Sequence, residues 1–159
     1  MMTRKIIAAS WTVPIYAFVL SIVEFSQQTL VETSFLESVS GFLLLCTIYM
    51  AYSFPVILTY GVVTSWLSDW LAKRFNSDRV QWFISFALHI LFGLVLSWLS
   101  LLAAILFFFI DRRLINRMDV TKRAAIRSVF IPIGCLLVVM GSVYLIGVVQ
   151  DFFVRFNSI

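Results

Sequence analysis

Ionisable groups are nearly absent from the apolar stretches of this chain. Charged residues make up 13% of its 159 residues, and there are one histidine, two cysteines, three prolines and six glycines. No Asp or Glu lies well inside an apolar block, because Glu24, Asp69, Asp111 and Asp151 all stand at block ends. A proton-coupled exporter normally holds a mid-membrane carboxylate for which proton and substrate compete. Small multidrug exporters have this size and span number, but the glutamate of their first helix has no counterpart here. Intramembrane proteolysis needs a Ser–His pair, two aspartates or His-Glu-x-x-His, and none of these occurs. There is no Cys-x-x-Cys, and Cys46 and Cys135 have no Cys or His at ligand spacing, so both read as small buried side chains. No catalytic set, cofactor motif or metal-ligand set is expected, and an enzyme is the least favoured class. No Pro/Gly/Ser linker or long polar block divides the chain, which reads as one domain.

Four long apolar runs are present instead: Ile6–Val23, Val39–Leu67, Val80–Ile110 and Val129–Val149. Hydrophobic residues reach 62%, well above the half expected of a soluble domain. A bilayer core of about 30 Å needs roughly 20 apolar residues per helix. The backbone must satisfy its own hydrogen bonds in lipid, and the runs show no strand-like alternation, so helices are expected. The fold expected is an all-α, four-helix transmembrane bundle with spans over about 6–24, 39–67, 80–110 and 129–149. No small-x-small cleavage site follows the first run, so it reads as an uncleaved span.

The distribution of Lys and Arg does not settle orientation. The N-terminal flank carries Arg4 and Lys5, the second connection Lys73, Arg74 and Arg79, and the tail Arg155. The third connection carries Arg112, Arg113, Arg117, Lys122, Arg123 and Arg127, and the first carries only the acids Glu24, Glu32 and Glu37. Four spans then place six basic residues on each side, a tie under the positive-inside rule. Three arrangements escape it: block three as a tight hairpin, block two folded back at Pro55, or dual insertion. The hairpin would gather eleven of the twelve basic residues on one side, but half of block three is only about 22 Å long. As one straight helix, block three is about 46 Å long, too long to fit the core at an ordinary tilt. The reading adopted is four spans, with helices two and three overshooting the membrane. Orientation stays open, with a lean toward an inside N-terminus.

Pro55 predicts a kink near Tyr52–Ser53. Small and polar residues follow at four-residue steps: Ser53, Gly61, Ser65 and Asp69 in helix two, then Gln81, Ser85, His89, Gly93 and Ser97 in helix three. Such stripes are packing seams first, or the lining of a polar path. His89 is the only histidine, with Thr59 and Ser53 as expected partners across the helices. The candidate polar and packing site is therefore Ser53, Thr59, Gly61, Ser65, Ser85, His89, Gly93 and Ser97. Helix four is expected to start near Val129, with Pro132 in its first turn. Asp119 or Thr121 is expected to cap the lead-in. Anionic lipid headgroups are expected at Arg112, Arg113, Arg117, Lys122, Arg123 and Arg127. Other partners would be a second copy or another membrane protein, and nucleic acid is not expected.

Several strings carry a resemblance. They are Trp11-Thr12-Val13-Pro14, Tyr60-Gly61-Val62-Val63-Thr64-Ser65 leading to Ser68-Asp69, His89 with Gly93, and Ala103-Ala104-Ile105-Leu106-Phe107 ending at Asp111-Arg112. Together they resemble an uncharacterised family of small four-span membrane proteins of Gram-positive bacilli. The resemblance implies a bacterial plasma-membrane location and no activity. The expected role is non-enzymatic, as an interaction, immunity or accessory protein. The alternative is a small transporter or channel with helices two and three lining the path.

Overall fold

The computed structural model describes residues 2–27, 34–115 and 121–157, and no strand occurs among them. The elements are α1 (Met2–Gln27), α2 (Phe35–Val56), a π-helical turn (Ile57–Gly61), α3 (Val62–Ala72), α4 (Asp78–Leu96), α5 (Trp98–Ile115) and α6 (Lys122–Asn157). The π turn joins α2 and α3 into one rod, so the described residues form five helical rods rather than four. Four helices are long and apolar enough to cross a membrane: Met2–Gln27, Phe35–Ala72, Asp78–Leu96 and Lys122–Phe156.

The added rod comes from block three, which breaks at Ser97. The backbone there is fully extended, at φ −179° and ψ 159°. Ser97 caps the new helix: its hydroxyl accepts from Leu99 N–H at 3.2 Å, and its carbonyl from Ser100 N–H at 3.1 Å. Beyond the turn the two arms run antiparallel. Gly93 abuts Leu101 and Ala104, His89 faces Phe107 and Phe108, and Ser85 reaches Arg112. Gly93, one turn before the break, lets the arms close: a Cβ there would lie 2.9 Å from the Ala104 Cβ. The arms are also longer than the apolar run allowed. Asp78–Leu96 has 19 residues and Trp98–Ile115 has 18, or about 28 and 27 Å.

Because the hairpin returns, α6 starts at the end where α1 starts and runs parallel to it. Ser128 near the start of α6 bonds Ser10 at 3.3 Å, and Cys135 and Val139 lie further up the same wall as Pro14 and Phe18. One end of the bundle therefore gathers Arg4, Lys5, Lys73, Arg74, Arg79, Arg112, Arg113, Lys122, Arg123 and Arg127. Arg155 lies about 50 Å away along α6. Arg117, Asp119 and Glu32 lie outside the described residues.

Helix α1 is the hub. Ala8, Ala9, Ser10, Thr12, Val13 and Ala17 are fully buried, and their small side chains let α2, α5 and α6 approach closely. A π turn follows Pro55, a few residues beyond the position where the kink is expected. Proline cannot donate to the Ala51 carbonyl, and the ladder resumes in a shifted register. Helix α6 also departs from expectation. It starts at Lys122, where Thr121 Oγ1 accepts from Ala124 N–H at 3.2 Å, so Pro132 lies well inside it. It has 36 residues, so α6 is longer than a bilayer core, as is the 38-residue rod Phe35–Ala72, whereas neither arm of block three is.

Candidate functional site

Five charged side chains meet at the basic end of the bundle. Lys5 is fully buried, and its ammonium donates three bonds: to Ser65 Oγ at 2.7 Å, Asp69 Oδ2 at 2.7 Å and Asp111 Oδ2 at 3.2 Å. Three donors meet three acceptors, which is the condition for burying an ammonium. Arg4 holds Asp111 from the other side as a fork, Nε to Oδ1 at 2.7 Å and Nη2 to Oδ2 at 3.1 Å. Arg112 donates from Nη2 to Asp69 Oδ1 and to Ser85 Oγ, each at 2.8 Å. Ser85 Oγ in turn donates to Asp69 Oδ1 at 2.8 Å. The guanidinium of Arg112 also sits 5.1 Å from the Phe108 ring.

The fold explains why these groups converge. Lys5 and Arg4 occupy the first turn of α1, Asp69 the last turn of α3, and Asp111 and Arg112 the last turns of α5. Antiparallel packing of α1 with α3 and α5 brings those ends together, and the hairpin brings Ser85 of α4 beside them.

Two hollows flank the network. A cleft of about 470 Å³ opens beside it, lined by Arg4, Asp69, Lys73, Asp78, Gln81, Trp82 and Arg112 among others. A smaller cavity of about 50 Å³ lies further along the hairpin, bounded by Tyr60, Gly61, Thr64, His89, Gly93 and Phe107 among others. His89 stands between network and cavity. Its Nδ1 lies 2.7 Å from the Ser85 carbonyl, so this nitrogen carries the proton, and Nε2 is buried without a partner. Nearby hydroxyls already donate to backbone: Tyr60 to the Phe92 carbonyl at 2.8 Å, Thr64 to that of Tyr60 at 2.8 Å, and Ser100 to that of Gly93.

The sequence-level candidates are thus divided among three places. Ser65 and Ser85 belong to the ion network. Gly61, His89 and Gly93 border the small cavity. Ser97 makes the hairpin turn. Ser53 and Thr59 join neither hollow: Ser53 Oγ is shielded without a partner, and Thr59 is exposed and bonds the Pro55 carbonyl at 2.7 Å. The expected cross-helix partners of His89 are therefore replaced by its own helix, one turn back.

The sequence reading placed Asp69 in the helix-two stripe and Arg112 at lipid headgroups, and left Arg4, Lys5 and Asp111 as charges at block ends and flanks. One signal pointed to them. The hairpin arrangement that gathers eleven basic residues on one side also brings Lys5, Asp69 and Asp111 to one level. Among the described residues no three His, Cys, Asp or Glu converge on a metal-sized site. No family model, curated protein or solved structure matches this chain.

Proposed function

We propose that this is a multi-pass integral protein of a bacterial plasma membrane, with its basic end in the cytoplasm and a non-enzymatic role as an interaction, immunity or accessory protein. The segregation of charge carries this reading. Ten of the eleven described Lys and Arg residues lie at one end of the bundle, which the positive-inside rule assigns to the cytoplasm. The outward faces support it: Phe130, Leu137, Val138, Tyr144 and Leu145 of α6 are exposed and apolar, as lipid-facing residues are. The plasma-membrane assignment rests on the resemblance to small membrane proteins of Gram-positive bacilli.

The test is labelling of intact cells with a membrane-impermeant thiol reagent, in a background lacking Cys46 and Cys135. A cysteine at position 155 should react at once, and cysteines at 79 and 113 only after permeabilisation. The reverse pattern overturns the orientation, and half-labelling at every position means dual insertion. For the interaction role, photo-crosslinking from the exposed face of α6 should recover one reproducible membrane protein. Recovery of this chain alone replaces that role with self-association.

A second reading, a small transporter or channel, is favoured by the His89 cavity between the α2–α3 rod and the α4–α5 hairpin. It predicts solute movement into liposomes with a pH dependence that His89→Ala alters. Silence across a broad solute panel removes it.

A further inference from the structure

The buried ion network does not balance. Arg4, Lys5 and Arg112 bring three positive charges to the two negative charges of Asp69 and Asp111. An uncompensated charge held out of water is costly, and proteins meet that cost with a counter-ion or exposure. Lys5 is sealed in and saturated, so the surplus falls on the two guanidiniums. Both are only partly exposed, Arg4 by 19% and Arg112 by 26%, and both line the 470 Å³ cleft.

Both also keep donors in reserve. Arg4 binds Asp111 through Nε and Nη2, which leaves Nη1 over. Arg112 uses Nη2 for both of its bonds, which leaves Nη1 and Nε, and Nε is shielded with no partner. Each arginine thus keeps its Nη1 as a charged donor, and two such donors can meet two oxygens of one phosphate group. The cleft contains one further carboxylate, Asp78, which is exposed and pairs with neither guanidinium. The volume exceeds what a single ion needs and suits a headgroup.

We propose that the cleft between α3 and the α4–α5 hairpin binds a phosphate-type oxyanion, held by Arg4 and Arg112 as the missing counter-charge of the network. The source favoured is the headgroup of an anionic lipid, because basic pockets between helices on the cytoplasmic side take such headgroups. That choice of source rests on the proposed orientation; the oxyanion site itself does not.

The experiment measures Tm of the delipidated full chain in neutral detergent. The additions are phosphatidylglycerol, phosphatidylcholine, inorganic phosphate, and sodium chloride at matched ionic strength. Phosphatidylglycerol should raise Tm by about 4 °C or more, and phosphatidylcholine and chloride should not. Arg112→Gln should abolish the rise, because it leaves two cations against two anions. Asp78→Asn should enlarge it, because it removes the repelling carboxylate at an exposed position outside the network. An equal rise with phosphatidylcholine, or an undiminished rise in Arg112→Gln, overturns the site. Should Arg112→Gln fail to fold, Asp78→Asn decides alone, and an unchanged rise overturns the site. A full rise with inorganic phosphate alone supports the site and overturns the lipid as its source. That arm contains no membrane, so it stands apart from the orientation, which cysteine labelling tests separately.

Discussion

Lys5 Nζ lies 2.7 Å from Asp69 Oδ2 across 64 positions of the chain, with the lysine side chain wholly shielded. One contact ties the first turn of α1 to the last turn of α3. The Asp111 contact extends the tie to α5. Three rods are thus clamped at a single end, and the clamp sets their register.

Breaking the clamp from its centre should be costly. Lys5→Met removes the buried ammonium and leaves Asp69 Oδ2 and Ser65 Oγ without their 2.7 Å donor, for a loss of about 3–5 kcal/mol. Adding Asp111→Asn should not recover that loss, because Asp111 still pairs with the Arg4 fork. Unfolding of the detergent-purified protein gives both values, and a single-variant effect below about 1 kcal/mol would mean the network is hydrated rather than buried.

Gly93 of the hairpin and Gly61 of the π turn should respond differently to alanine. At Gly93 a new Cβ meets Ala104 Cβ at 2.9 Å and Leu101 Cα at 3.3 Å. Gly93→Ala should therefore cost about 1–3 kcal/mol by forcing the arms apart. At Gly61 the nearest atoms, on Ile57 and Phe107, are at 3.6 Å, an ordinary contact. Gly61→Ala should be neutral or gain up to about 1 kcal/mol from helix propensity. Ala104→Gly should rescue Gly93→Ala. Equal effects at both glycines would refute the close approach.

The hairpin itself has a direct measure. Positions 79 and 113 would be about 51 Å apart on one continuous helix. Spin labels placed there should report a far shorter distance, because the chain returns at Ser97. A distance near that of the straight helix would restore the four-span arrangement.

His89 should be a single tautomer. With Nδ1 bonded to the Ser85 carbonyl at 2.7 Å, nitrogen NMR of the labelled ring should place the proton on Nδ1 and leave Nε2 bare. His89→Asn, whose amide can imitate that donor, should stay closer to wild-type stability than His89→Leu. A proton on Nε2 would place the ring in the opposite orientation.

Much of the helical content was legible in the sequence. The first, second and fourth apolar runs each lie within one helical rod, and the Ser85–His89–Gly93 stripe is a buried face of α4. The spacing also marked Gly61 and Ser65 as inward-facing. Other features were not legible for physical reasons. A break at Ser97 lacks the usual Pro or Gly punctuation and depends on Ser97 and Ser100 capping the turn. A buried Lys5 reads like any flanking lysine until its acceptors, 60 to 106 positions away, are brought to it.

The sequence by itself determined that this chain makes long apolar helices, because such runs can bury their backbone polar groups only by coiling. It also determined where the charges stand along the chain. It did not determine their side, since four straight spans divide the basic residues equally. Only the tertiary structure gathers them at one end of the bundle, by turning block three back on itself. The same turn converts edge charges into a buried network, because hydrogen bonds between helix ends depend on which ends meet, and local sequence carries no record of that.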